Sequence, residues 1–182
     1  MRIVSGKYRG RRLQPPVNLP VRPTTDFAKE GLFNVLSNIV DFESLKVLDL
    51  FTGTGSIAFE FLSRGAITVT AVDSSQKCID FIKKTADNFG AKNLQPVKSN
   101  SFVFIKRMVS GYDLIFADPP YDLEGIESIP DLVFESNLLN EEGLLILEHS
   151  SRYRFEHHPM FSQHRNYGSV NFTIFTRNNE LH

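Results

Sequence analysis

The chain has a single cysteine, Cys78, in 182 residues. An internal disulfide is therefore excluded, and a reducing compartment fits better than a secreted one. No apolar run reaches the roughly 18–20 residues a membrane-spanning helix needs. Residues 1–7 lack the apolar block of a secretory signal, so the expected location is cytoplasmic, with no membrane partner. Internal repeats and low-complexity tracts are absent. Metal ligation has little support: His157-His158-Pro159 has no further ligands at useful spacing, and no metal is expected. Glu148-His149-Ser150 closes a strand, and adjacency in sequence does not make a nucleophile triad. Glu148 itself has two open readings, facing a pocket or serving the packing. What is present is ordinary globular material, 41% hydrophobic and 23% charged, enough for one domain with a substantial core.

The net charge of −1 hides an asymmetry. Residues 1–30 carry seven basic groups (Arg2, Lys7, Arg9, Arg11, Arg12, Arg22 and Lys29) against Asp26 and Glu30, a balance of +5. The remainder carries 13 basic and 19 acidic residues, a balance of −6. Such a split fits a basic arm for a polyanion joined to a neutral or acidic body. Residues 1–23 have the composition of that arm, from Gly6-Lys7-Tyr8-Arg9-Gly10-Arg11-Arg12 to the prolines Pro15, Pro16, Pro20 and Pro23, which favour extended backbone.

Thr24-Thr25-Asp26 offers a helix N-cap, and Phe27, Gly31 or Leu32, Val35, Leu36 and Ile39 follow at helical spacing. From residue 46 strands and helices alternate. Strands are predicted over 46–50, 67–72, 94–97, 112–117 and 144–148, with helices over 57–62, 75–89, 101–109 and about 126–137. Cys78 falls in the second of these helices as a buried residue. The strands are apolar on both faces, which implies a parallel sheet covered on both sides. Tyr167-Gly168-Ser169 then separates two extended stretches and reads as a terminal hairpin. A parallel open sheet binds ligands beyond the carboxyl ends of its strands. Asp49, the glycine loop, Asp73, Asn100 and Asp118–Tyr121 all fall at such ends.

Asp49-Leu50-Phe51-Thr52-Gly53-Thr54-Gly55-Ser56 links a strand to a helix. Glycines there let backbone N–H groups approach a ligand where side chains would collide. Gly53 to Ala58 also satisfies G-x-G-x-x-A, and Asp73 is placed to accept from ribose hydroxyls. These features indicate a nucleoside and leave open whether it is a dinucleotide or S-adenosylmethionine. Asp118-Pro119-Pro120-Tyr121 separates the two. Successive prolines remove two N–H donors and fix an extended corner rich in acceptors, the Asp118 carboxylate and the Pro119 carbonyl, beside an aromatic ring. That corner suits a planar amine donating two hydrogen bonds while its ring stacks on Tyr121. Acceptors on its protons would localise the lone pair and orient it towards a methylsulfonium. Hydride transfer has no need of it.

The sequence resembles the RsmD-type family of 16S ribosomal RNA guanine-N2 methyltransferases over nearly its whole length. The matching segments are residues 2–11, Arg22-Pro23-Thr24-Thr25, Glu30-Gly31-Leu32-Phe33-Asn34, residues 48–55, Asp118-Pro119-Pro120-Tyr121 and Tyr167-Gly168. The resemblance implies a Rossmann-like class I methyltransferase fold, a largely parallel seven-stranded sheet with a C-terminal antiparallel hairpin. Its methyltransferase domain would span residues 24–182, with residues 1–23 as an RNA-binding extension. It implies S-adenosylmethionine held by Asp49, Phe51, Thr52, Gly53, Thr54, Gly55, Asp73 and Asn100, with Asp73 on the ribose and Asn100 near the adenine. Asp118, Pro119, Pro120 and Tyr121 would receive a flipped-out guanine. Lys7, Arg9, Arg11, Arg12 and Arg22 would grip rRNA phosphates, which position rather than specify. The implied substrate is 16S rRNA within small-subunit ribonucleoprotein, and the expected form is a monomer. Members often carry arginine where Phe27 stands. The chemistry alone also permits an adenine amine or a protein glutamine amide as acceptor, although no large domain for reading DNA sequence is present.

Overall fold

The computed structural model describes residues 1–17, 19, 25–109 and 111–177. The helices are α1 (Asp26–Leu36), α2 (Ser56–Ser63), α3 (Gln76–Phe89), α4 (Ser101–Arg107) and α5 (Ile129–Glu135). The strands are β1 (Lys46–Leu50), β2 (Thr68–Asp73), β3 (Leu94–Lys98), β4 (Tyr112–Ala117), β5 (Leu139–His149), β6 (Phe161–Tyr167) and β7 (Val170–Thr176). They form one sheet in the order β3-β2-β1-β4-β5-β7-β6. The first five pair in parallel, and β7 runs antiparallel to both β5 and β6.

The burial of β1 explains the pattern. Val47, Leu48 and Leu50 of β1 are buried on alternating sides of the sheet, because apolar layers cover both. One layer packs α1, α2 and α3 against Val47, Val69, Leu114 and Phe172; the other packs α4 and α5 against Leu48, Ile115 and Leu147. The chain winds outward from β1 to β3, then returns through α4 to β4 on β1's other side. That reversal is a topological switch point, where ligands sit beyond the strand ends. α3 shows the local logic of a helix: Ser75 caps its start by accepting from the Cys78 N–H, Cys78, Ile79 and Ile82 are buried, and Gly90 ends it at φ 66°.

Four elements depart from the periodicity. Phe27, placed by spacing on the apolar face of α1, is 68% exposed, and the buried face is Ala28, Lys29, Leu32, Phe33 and Leu36. α4 stops at Arg107, because Met108 turns to extended backbone. The helix expected over 126–137 is a 3₁₀ turn at Ile126–Ser128 followed by the shorter α5, and β5 begins five residues before the predicted Leu144.

Residues 1–13 fold onto the same core. Arg2 and Arg12 bridge antiparallel, with Ile3 N–H donating to the Arg11 carbonyl at 2.9 Å. Ile3, Tyr8 and Leu13 are buried. The N–H groups of Val4 and Ser5 donate to the Glu60 carboxylate of α2, at 2.9 and 3.1 Å, and that of Lys7 donates to the Ser63 carbonyl at 2.7 Å. Gly6 crosses α2 so closely, at φ 78°, that a Cβ would lie 1.8 Å from the Ser63 carbonyl oxygen. Lys29, counted among the basic groups above, is wholly buried: its Nζ donates to the Arg2 carbonyl at 2.5 Å and lies 3.6 Å from the equally buried Glu60. Desolvation holds the Lys29 ammonium below its usual range, opposed by the charge of Glu60. Lys29 is thus a bolt between α1, α2 and the N-terminal turn, with no charge to offer a partner.

Candidate active site

A cavity of about 580 Å³ opens at the carboxyl ends of β1, β2, β4 and β5, within the range of small-molecule sites. Its first half is built by the β1–α2 loop. Gly53 and Gly55 both hold positive φ, 53° and 76°, and a Cβ on Gly55 would meet Ile82 at 3.1 Å and Phe59 at 3.3 Å. Phe51 is the one non-glycine residue with positive φ among the described residues, at 59°. A bulky side chain there costs about 1–2 kcal/mol, and its ring is held edge-on to Phe102. That strain sits in the wall of the cavity.

Two carboxylates organise this half. Asp73 accepts the Gly53 N–H at 2.9 Å with one oxygen and the Ser75 N–H at 2.8 Å with the other, so it ties the glycine loop to the start of α3. Asp49 is buried and accepts from the Thr52 hydroxyl at 2.5 Å and the Ala58 N–H at 3.2 Å. Burial pushes its carboxyl up to about 7, against those two hydrogen bonds. Asn100 caps α4 by accepting the Val103 N–H at 3.1 Å and lines the same wall.

The second half is the corner after β4. Asp118, Pro119, Pro120 and Tyr121 all line the cavity, together with Thr25 of the α1 cap and Ser169 and Val170 of the hairpin. The Tyr121 hydroxyl donates to Glu148 Oε1 at 3.3 Å, and Arg152 donates to the Tyr121 carbonyl. Glu148, at the end of β5, lies in the cavity wall.

One cavity therefore collects Asp49, Phe51, Thr52, Gly53, Thr54, Asp73, Asn100 and the whole Asp118–Tyr121 corner. Gly55 is not in the wall and serves through its backbone. Lys7, Arg9, Arg11 and Arg12 are exposed but outside the cavity, with Arg11 lying over the Tyr8 and Phe89 rings. Arg22 falls outside the described residues. Thr25, Phe102, Ser169 and Val170 had no sequence signal as site residues, because long-range packing alone delivers them. Among the described residues no group of three or more acidic, histidine or cysteine side chains could hold a metal ion, and no helix is long and apolar enough to cross a membrane.

A sheet of this order, with its antiparallel seventh strand inserted beside β5 and its cavity at the switch point, is the Rossmann-like fold of class I methyltransferases. Within that class, the chain belongs to the family described as Conserved hypothetical protein 95, whose model matches residues 1–176. A protein of Buchnera aphidicola subsp. Baizongia pistaciae named ribosomal RNA small subunit methyltransferase D is 33% identical over 152 residues, 81% of this chain and 75% of the relative. The Escherichia coli protein of the same name is 31% identical over 148 residues, 81% and 74%. The solved structure of Escherichia coli yhhF superimposes with a TM-score of 0.85 at 27% identity, covering 99% of each chain.

Proposed function

We propose that this protein transfers a methyl group from S-adenosylmethionine to the exocyclic N2 amine of a guanine in small-subunit ribosomal RNA. The observation that carries the reading is the single cavity joining the strained glycine loop to the Asp118–Tyr121 corner. Two relatives named for small-subunit rRNA methylation support the choice of RNA.

The first half of the cavity fits the cofactor. Its glycine loop, bent at Gly53 and Gly55 and tied to Asp73 through the Gly53 N–H, lets a ligand approach the backbone where a side chain would collide, and Asp73 offers acceptors at the end of β2. The buried Asp49 carboxyl, raised to about 7, fits a site that receives a cationic ligand whose charge would offset the burial. Phe51 to Thr54, Asp73 and Asn100 would hold the group. When bound, it supplies an electrophilic methyl on a sulfonium.

The second half prepares the acceptor. Asp118 and the Pro119 carbonyl accept hydrogen bonds from the two amine N–H groups, which turns the nitrogen lone pair towards the cofactor half. Tyr121 stacks the base, and the prolines keep competing N–H donors out of the corner. A base reaches this depth only when flipped from its stack. The exposed Lys7, Arg9, Arg11 and Arg12 contribute attraction to phosphates without reading sequence.

Asp118→Ala tests the division of labour. Transfer should fall by about 10²-fold or more, as expected for loss of a transition-state acceptor, while the thermal shift given by S-adenosylmethionine stays within about a degree of wild type. Equal loss of both would show that Asp118 supports the pocket and leaves the amine-holding role without a residue.

A further inference from the structure

We infer that Glu148 selects the target base by accepting the N1–H of guanine beside the amine held at the Asp118 corner. The inference rests on the guanine reading above and adds the residue that would separate guanine from other amine-bearing acceptors.

The placement follows from the sheet. β4 and β5 pair in parallel with Ala117 opposite Leu147 as their last register pair. The next residues are Asp118 and Glu148, on neighbouring chains about 4.8 Å apart. Phe116 and Ile146, two positions earlier, lie in the same apolar layer, and both acidic residues line the cavity on that side. Two carboxylates thus stand next to one another at the acceptor end. Glu148 is only 4% exposed, and across the sheet it faces Phe172. Glu148 is thus a buried carboxylate set in the wall of the ligand cavity. The Tyr121 hydroxyl donates to Glu148 Oε1 at 3.3 Å. That contact also fixes Glu148 relative to the ring on which the base would stack.

The edges of the bases decide what two adjacent acceptors can read. Guanine presents N1–H directly beside its N2 amine, so donors sit side by side. Adenine and cytosine place a ring-nitrogen lone pair next to the amine, which a carboxylate repels. A side-chain amide has one NH₂ and no neighbouring ring donor. Paired acceptors at Asp118 and Glu148 match guanine alone among these. Sites built around a hydrogen bond to the substrate reject analogues lacking that donor far more strongly than apolar pockets do.

The test uses the full-length protein and a splint-ligated rRNA in which the methylated nucleotide is either guanosine or 2-aminopurine riboside. The analogue keeps the N2 amine, puts a lone pair at N1 and lacks the 6-oxygen. Wild type should prefer guanosine by about 100-fold or more in kcat/KM. Glu148→Gln should lower turnover of guanosine and narrow that preference to about 10-fold or less, because its amide can donate to the analogue's N1. Any cost of the missing 6-oxygen is common to both proteins and cancels in the comparison. A wild type that methylates the analogue as readily as guanosine overturns the inference without reference to any variant. So does a Glu148→Gln protein that loses both substrates in equal proportion, which would make Glu148 a structural support. If wild type instead yields no N2-methylguanosine on its natural particle, the guanine reading falls, and this inference falls with it.

Discussion

Asp49 shows how one residue joins stability to ligand chemistry. Its carboxyl is raised to about 7 in the fold by burial, against roughly 3.9 in an unfolded chain. Below about pH 4 the group is protonated in both states and has no effect. Between about 4 and 7 the folded protein binds the extra proton, so stability from this group falls as pH rises, and above 7 the loss is complete. Asp49→Asn keeps an acceptor for Thr52 and Ala58 but carries no charge. The variant's melting temperature, relative to wild type, should therefore rise between pH 4 and 8, by an amount on the order of 10 °C. A difference that does not change with pH would mean Asp49 is ionised throughout. The aspartate and its position at a strand end were visible in the sequence; its shifted acidity was not, because that depends on how deeply α2 covers it.

At the scale of elements, strands were legible where both faces are apolar. β1 and β4 appear as predicted, since Val47 to Leu50 and Leu114 to Ala117 allow no other assignment in a covered sheet. α1 was legible as a helix but not in its facing. A 3.6-residue period has adjacent solutions, and the side that packs is chosen by α2 and the N-terminal turn. The consequence is Lys29, which spacing could only count as charge and packing makes a buried tie to Glu60. Lys29→Met leaves Glu60 with Arg64, at 3.1 Å, and the Val4 and Ser5 N–H groups as partners. Breaking a buried pair from one side costs about 3–5 kcal/mol, so the melting temperature should fall by roughly 10 °C. The N-terminal turn should also become sensitive to protease. An unchanged melting temperature would show that Arg64 alone satisfies Glu60.

At the scale of the molecule, the charge asymmetry becomes a question of geometry. The exposed basic side chains of residues 7–12 sit on a turn fixed to α2 by Gly6 and Ser63, not on a separate unit. Cations held in place lose less freedom when they meet a phosphate backbone. Arg9→Ala with Arg11→Ala should weaken RNA binding and reduce the slope of log K against log salt by about 1.4–1.8. An unchanged slope would reassign this face to solvent or to a protein partner. Motif residues of the candidate site were legible because each lies at a strand end, from Asp49 to Tyr121. Thr25, Ser169 and Val170 were not, because they reach the cavity only when β7 inserts beside β5 and α1 closes over the sheet.

The most direct measurement is nucleoside analysis of small-subunit particles and naked rRNA, prepared from cells lacking this protein, after incubation with it and methyl-labelled S-adenosylmethionine. Label recovered as N2-methylguanosine is the expected result. Label in an adenosine derivative or in protein, or none in either substrate while the cofactor still binds, would contradict it.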